Sequence, residues 1–355
     1  MRSRVYLPLL LLVACRVALA AEAPAYPNAV EGDFTIKDYK FATGESLPEV
    51  KMHYRTFGTP MRDGQGRINN AVLLLHGTTG SGAQFLSPGL AGELFGPGQA
   101  LDATKFYLIL PDSIGRGKSS RPSESLRMKF PRYGYVDAAD LQYRLVSEKL
   151  GVSHLRLILG TSMGGMHAWV WATRHPEFVD ALMPIACQPA PITGRNLVWR
   201  RIIVDSIKSD PAWNQGNYTA QPHGWTSMLP VFRMLIDSPQ NLEESIPNIE
   251  KADSFVAGAM ADAAKTFDAN DMVYALDSSR DYDPTAELDK VKARVVAVNF
   301  SDDELNPVEL KIMEREMAKV KGGRQVMLPP PPKSKGHQNL GQAGLWKQYV
   351  GELLP

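Results

Sequence analysis

Six short runs rich in Val, Ile and Leu recur along the chain: Ala71–His76, Phe106–Asp112, Leu155–Gly160, Leu182–Cys187, Arg294–Phe300 and Gln325–Leu328. Such brief, nearly continuous apolar runs predict strands buried on both faces, as in a parallel sheet. Phe34–Ala42 and Lys51–Phe57 alternate more strongly and predict antiparallel edge strands ahead of them. Helical spacing fills the gaps. Leu141, Leu145 and Leu150 share a face that Gly151 ends, and Met163 to Arg174 forms a helix stopped by Pro176. Leu310, Met313, Met317 and Val320 repeat the spacing before Gly322-Gly323. Alternating strand and helix predict a doubly wound, mostly parallel eight-stranded sheet flanked by helices. The alternation stops between about Pro189 and Ala293, a stretch rich in Trp, Met and Pro that predicts an inserted helical cap. The predicted division is therefore a core over residues 21–188 and 294–355, with a cap over 189–293.

Residues 1–20 stand outside that pattern. Two arginines precede an apolar run, and Ala18-Leu19-Ala20 offers small residues at −3 and −1, so the segment predicts a secretory signal cleaved near Ala20. The run from Val5 to Cys15 is too short to span a bilayer as a helix. The expected location is periplasmic or secreted. Leu12-Val13-Ala14-Cys15 also resembles a lipoprotein cleavage box, which would anchor the chain at Cys15, although Arg16 is a poor residue to follow a lipidated cysteine. Once Cys15 leaves with the signal, Cys187 has no partner for an internal disulfide.

Composition narrows the functional classes. With 44% hydrophobic and 22% charged residues, collagen-like, coiled-coil and disordered chains are excluded. Lys and Arg number 39 against 38 Asp and Glu, so no field of one sign invites nucleic acid or an acidic membrane. Cysteine-type metal clusters are excluded by the cysteine count, and Asp302–Glu304 lacks the spacing of an EF-hand. The chemistry below requires no cofactor.

That chemistry begins at Gly160-Thr161-Ser162-Met163-Gly164-Gly165, between a predicted strand and a predicted helix. G-x-S-x-G in this setting is a nucleophile elbow, and it makes Ser162 the candidate nucleophile. An elbow serine needs two backbone N–H groups to hold an oxyanion. Met163 is expected to supply one, and the loop His76-Gly77-Thr78-Thr79-Gly80 the other, through Thr78 or alternatively Gly77. His76 reads as a structural loop residue. The usual chain order places an acid next and then a histidine. Asp302, Asp303 and Glu304 follow the strand Arg294–Phe300, and any of the three could orient a base. His337 is the only histidine beyond them, and it becomes the candidate general base.

These residues resemble the homoserine O-acetyltransferase family of α/β-hydrolase-fold enzymes. The likeness runs from about Phe41 to Leu340 and rests on four segments: FATGESLPEVKMHYRTFG, NNAVLLLHGTTGSG, GTSMGGMHAW and the cap segment IKSDPAWNQGNY, Ile207–Tyr218. The family's acid lies in D-x-L-x-P, which Asp303-Glu304-Leu305-Asn306-Pro307 fits and Asp302 does not. The resemblance thus implies an α/β-hydrolase fold with Asp303 as the acid. It also implies a homodimer through the cap.

The sequence departs from the family where the amino-acid acceptor is held. Gln338 stands where an Asp follows the histidine, and an ungapped reading puts Leu229 and Ile236 at the cap Arg and Tyr. Arg233 would replace the Arg if that reading slips by one helical turn. The reading favoured by these departures is an exported serine hydrolase cleaving a carboxylic ester or related acyl compound, with a small-molecule acyl ester as its substrate. An O-acyltransferase is the alternative, and a non-catalytic scaffold is disfavoured because all three triad types are present. Trp199, Trp213, Trp225, Met228, Leu229 and Met234 are expected mostly to pack the cap, with some lining an apolar pocket. The substrate-binding residues are left open.

Overall fold

The computed structural model describes residues 29–354. The signal segment and Cys15 lie outside the described residues. β1 (Val30–Lys40) and β2 (Ser46–Phe57) form an antiparallel pair at one edge of an eight-stranded sheet. β3 (Ala71–Leu75), β4 (Tyr107–Pro111), β5 (Leu157–Thr161), β6 (Ala181–Ile185), β7 (Arg294–Phe300) and β8 (Arg324–Leu328) complete it. The spatial order is β1-β2-β4-β3-β5-β6-β7-β8, and every pairing from β4 to β8 is parallel.

The central strands are apolar throughout because each buries both faces. In β3, Leu73 and Leu75 pack in one layer, whereas Val72 and Leu74 pack in the other. The first layer contains residues of α2 (Tyr135–Arg144) and α3 (Met163–Arg174). On the second lie α1 (Ala91–Leu94), Trp346 and the C-terminal α11 (Lys347–Leu353). Met163 to Thr173 are all buried, so α3 is the central helix of its layer, and it ends ahead of Pro176.

Between β6 and β7 the chain forms only helices: α4 (Gly194–Ser209), α5 (His223–Thr226), α6 (Leu229–Ile236), α7 (Pro239–Ser245), α8 (Ile249–Thr266) and α9 (Ala269–Asp277), joined by 3-10 turns. Apart from α7, which buries no residue, these helices share a core built on Trp199, Ile203, Trp213, Trp225, Leu229 and Met272. One expected helix is shorter than its pattern. Lys311 takes φ +50°, so α10 covers only Ile312–Met317 and leaves Leu310 exposed outside it. Met313, Met317 and Val320 still pack on the sheet. No helix among the described residues is long and apolar enough to cross a membrane.

Candidate active site

Ser162 lies at the turn between the end of β5 and the start of α3, with φ 52° and ψ −115°. A positive φ at a residue with a Cβ is strained, and strain of this kind concentrates at functional turns. The surroundings explain why the flanking positions are glycine. A Cβ on Gly160 would lie 2.1 Å from the Gly164 carbonyl oxygen, and one on Gly164 would lie 2.0 Å from that of Leu75. The Ser162 amide donates to the Ile185 carbonyl at 2.8 Å, which fixes the turn against β6.

His337 Nε2 stands 2.9 Å from Ser162 Oγ, and His337 Nδ1 stands 2.7 Å from Asp303 Oδ2. The structure therefore brings together Ser162, His337 and Asp303 from three separate loops at the ends of strands. Asp303 is buried and held from several sides. Its Oδ1 accepts the Leu305 amide at 2.9 Å, and Oδ2 also accepts Asn306 Nδ2 at 2.8 Å. The neighbouring acids are engaged elsewhere: Asp302 Oδ2 accepts Ser334 Oγ at 2.5 Å, and Glu304 pairs with Arg195 at 2.9 Å. Asp302 thereby secures the histidine loop, since Ser334 Oγ in turn accepts Asn339 Nδ2 at 2.7 Å. Asn339 Oδ1 accepts the Lys335 amide at 2.9 Å.

The two candidate oxyanion donors on the early loop differ. The Gly77 amide already donates to Gln84 Oε1 at 3.0 Å. Neither the Thr78 amide nor the Met163 amide bonds any described residue, and Met163, as the first residue of α3, has no intrahelical acceptor. Gln84 also donates from Nε2 to Thr161 Oγ1 at 2.9 Å, tying the loop to the elbow. His76 is buried and bound on both nitrogens: it accepts the Ser113 amide at 3.0 Å and donates to the Gly77 carbonyl at 2.8 Å. Burial holds its pKa down to about 4, so it is a neutral support for the loop.

Ser162 and His337 open into a cavity of about 740 Å³, within the usual range for small-molecule sites. Leu86, Leu90, Phe232, Ile236, Leu305 and Leu340 supply its apolar wall, and Gln338, Trp199 and Arg200 also line it. Of the cap residues expected to be apolar anchors, Trp199 alone reaches this cavity. Trp213, Trp225 and Leu229 belong to the cap core, Met228 packs against it, and Met234 is half exposed. Leu229, Arg233 and Ile236 line an adjoining recess, where Arg233 is paired with Asp262 at 2.7 Å. Gln84 and the Leu86–Leu90 wall carry no sequence signal, because they follow a loop rather than a periodic element. Arg200 does carry one: it interrupts the apolar stripe of Trp199, Ile203, Val204 and Ile207 on α4.

The mostly parallel α/β sheet, with Ser162 after β5, Asp303 after β7 and His337 after β8, defines a class of fold, and comparison with known proteins identifies the same fold. The chain belongs to the α/β hydrolase fold family, which matches residues 70–261. It is similar to a probable acyltransferase of Methanothermobacter thermautotrophicus, at 28% identity over 278 residues, 78% of this chain and 84% of that protein. It is 33% identical over 194 residues to a homoserine O-acetyltransferase of Thermobifida fusca, a match covering 51% of this chain and only 50% of that enzyme. Among solved structures, an acetylester hydrolase from Corynebacterium glutamicum superposes with a TM-score of 0.78 over 91% of this chain and 95% of that one. At 21% identity, that likeness bears on the fold alone.

Proposed function

We propose that this protein is a serine hydrolase that cleaves a carboxylic ester, or a related acyl compound, through an acyl-enzyme on Ser162. The observation that carries the reading is the continuous hydrogen-bonded line from Asp303 through His337 to Ser162, opening on a largely apolar cavity. Ser162 Oγ attacks the substrate carbonyl carbon while His337 Nε2 takes the hydroxyl proton, and Asp303 holds the imidazole with Nδ1–H toward itself. The carbonyl oxygen becomes an oxyanion held by the Thr78 and Met163 amides. Collapse expels the alcohol, which leaves with the proton from His337 and gives the acyl-serine. Water then adds to the acyl carbon as His337 accepts its proton, and a second collapse frees the acid and returns that proton to Ser162.

Water is favoured as acceptor because the family resemblance implies Leu229, Ile236 and Gln338 at the positions that grip an amino acid, while Arg233 is paired with Asp262. A second reading, O-acyl transfer, is favoured by the acyltransferase names of the two sequence relatives above. Turnover of a short p-nitrophenyl ester separates them. Steady hydrolysis unaffected by homoserine or serine, and lost in Ser162→Ala together with fluorophosphonate labelling, supports the hydrolase. A burst with little turnover, followed by accumulation of O-acylated amino acid, establishes the transferase. Export after cleavage near Ala20 belongs to the same proposal, and N-terminal sequencing of protein recovered outside the cytoplasm tests it. The homodimer implied by the family resemblance is tested by sedimentation velocity.

A further inference from the structure

We propose that Arg200 makes the Ser162 cavity a receptor for esters that carry a free carboxylate at a distance from the scissile bond. The inference rests on Ser162 being the nucleophile of the cavity, and it holds whether water or an alcohol is the acceptor.

Arg200 is 3% exposed, yet it lines the same cavity as Ser162 and His337. Its Nε donates to Asn196 Oδ1 at 3.0 Å, and its guanidinium carbon lies 5.1 Å from the centre of the Trp199 ring. Nη1 is buried without a hydrogen-bond partner. The Tyr135 hydroxyl adjoins the guanidinium, but it too lacks a hydrogen bond of good geometry. No carboxylate lies within ion-pair distance of Arg200 among the described residues, whereas Arg195, Arg201 and Arg233 on the same cap are paired with Glu304, Asp277 and Asp262. The cavity wall contains no Asp or Glu, so Arg200 is its one permanent charge.

A buried guanidinium without a counter-ion is costly. A ligand carboxylate entering the cavity would supply the missing partner. With Nε bound to Asn196 and Nη1 buried, Nη2 remains for an oxyanion, and arginine suits a planar carboxylate better than any other side chain. The apolar residues that line the same cavity fit a hydrocarbon spacer. Two substrate types share that chemistry: a monoester of a dicarboxylic acid, with the charge on the acyl side, and an acylated hydroxy acid, with the charge on the alcohol side.

Kinetics on the full protein decide it. One arm compares the mono-p-nitrophenyl ester of glutaric acid with p-nitrophenyl butyrate. The other compares acetylated long-chain hydroxy acids with their methyl esters, followed by acetate release. Wild type is expected to favour the anionic member of at least one pair by tenfold or more in kcat/KM, and the responding arm identifies the side that carries the charge. In Arg200→Met the anionic-to-neutral ratio should fall toward one, chiefly through a higher KM for the anion, and Arg200→Lys should restore part of it. Equal kcat/KM for both members of both pairs in wild type overturns the proposal, even where Arg200→Met does not fold. A preference that survives intact in Arg200→Met overturns it too. Failure of the underlying reading looks different: no ester of any charge is turned over and Ser162 takes no fluorophosphonate. Protection of wild type against thermal unfolding by glutarate monomethyl ester, absent in Arg200→Met, then still supports Arg200 as the carboxylate site. Equal protection of both rejects it.

Discussion

Asp303 accepts three hydrogen bonds, one each from Leu305, Asn306 and His337, and that arrangement dictates what a single-atom change would do. In Asp303→Asn an amide NH₂ facing His337 cannot accept from Nδ1–H. The imidazole would then present Nε2–H toward Ser162 and lose its ability to take a proton. Ester turnover is expected to fall by about 10⁴ in kcat with KM little changed. Asp302→Asn should act differently, through the loop that Ser334 and Asn339 hold, and Glu304→Gln should stay within a few-fold of wild type. Steady-state kinetics on the three variants check the assignment. At this scale the elbow and the last histidine were legible in the sequence because each has a fixed chain context. The choice among three adjacent carboxylates was not legible from residue type. It depends on Ser334 and Arg195, which are remote in sequence, and only the D-x-L-x-P resemblance pointed to Asp303.

Elements place those residues, and the cap depends on one turn. Asp210 receives the Ala212 amide at 2.8 Å and the Gly224 amide at 2.7 Å. Trp213 Nε1 donates to Asn270 Oδ1 at 2.9 Å, and Asn270 Nδ2 donates to the Gly216 carbonyl at 3.0 Å. The segment IKSDPAWNQGNY, so prominent in the family resemblance, is thus occupied in joining α4 to α9. Asn270→Ala leaves a buried indole N–H and a buried carbonyl unpaired, at about 1–3 kcal/mol each. The expected result is a clear fall in thermal midpoint and faster hydrogen exchange in α4 and α9, read by mass spectrometry. The strands were easy to anticipate because two buried faces force continuous apolar runs. The packing of the cap helices was not, since faces such as Trp199–Ile207 say what is buried without saying against what. α10 fell short of its pattern because the backbone at Lys311 turns left-handed, which periodicity does not register.

For the whole molecule, buried histidines couple folding to pH. Burial lowers the pKa of His76 to about 4 and of His167 to about 3, both below the ordinary value of 6.5. Between those values and 6.5 the unfolded chain binds protons that the folded chain refuses. Stability is therefore fully present above about pH 6.5 and is lost as pH falls toward 4. Near pH 5 each histidine contributes a slope of about 1.4 kcal/mol per pH unit. Desolvated Asp137, Asp271 and Asp281, whose carboxyl pKa values are raised, act in the opposite sense at the acid end. Urea unfolding between pH 5 and 7.5 should show the acid loss, and His167→Phe should remove about one histidine's share of the slope. Ser162 precedes the helical insertion, and Asp303 and His337 follow it, so synthesis delivers the proposed nucleophile long before the residues proposed to activate it. While His337 is still inside the ribosomal tunnel, the growing chain holds an ordinary serine. A polypeptide kept unfolded for passage across a membrane would be equally inert, and esters on the near side would be safe from it. Timing of this kind would need no pro-segment and no inhibitor, because the order of the loops along the chain would itself withhold the proposed activity until the last strand has docked.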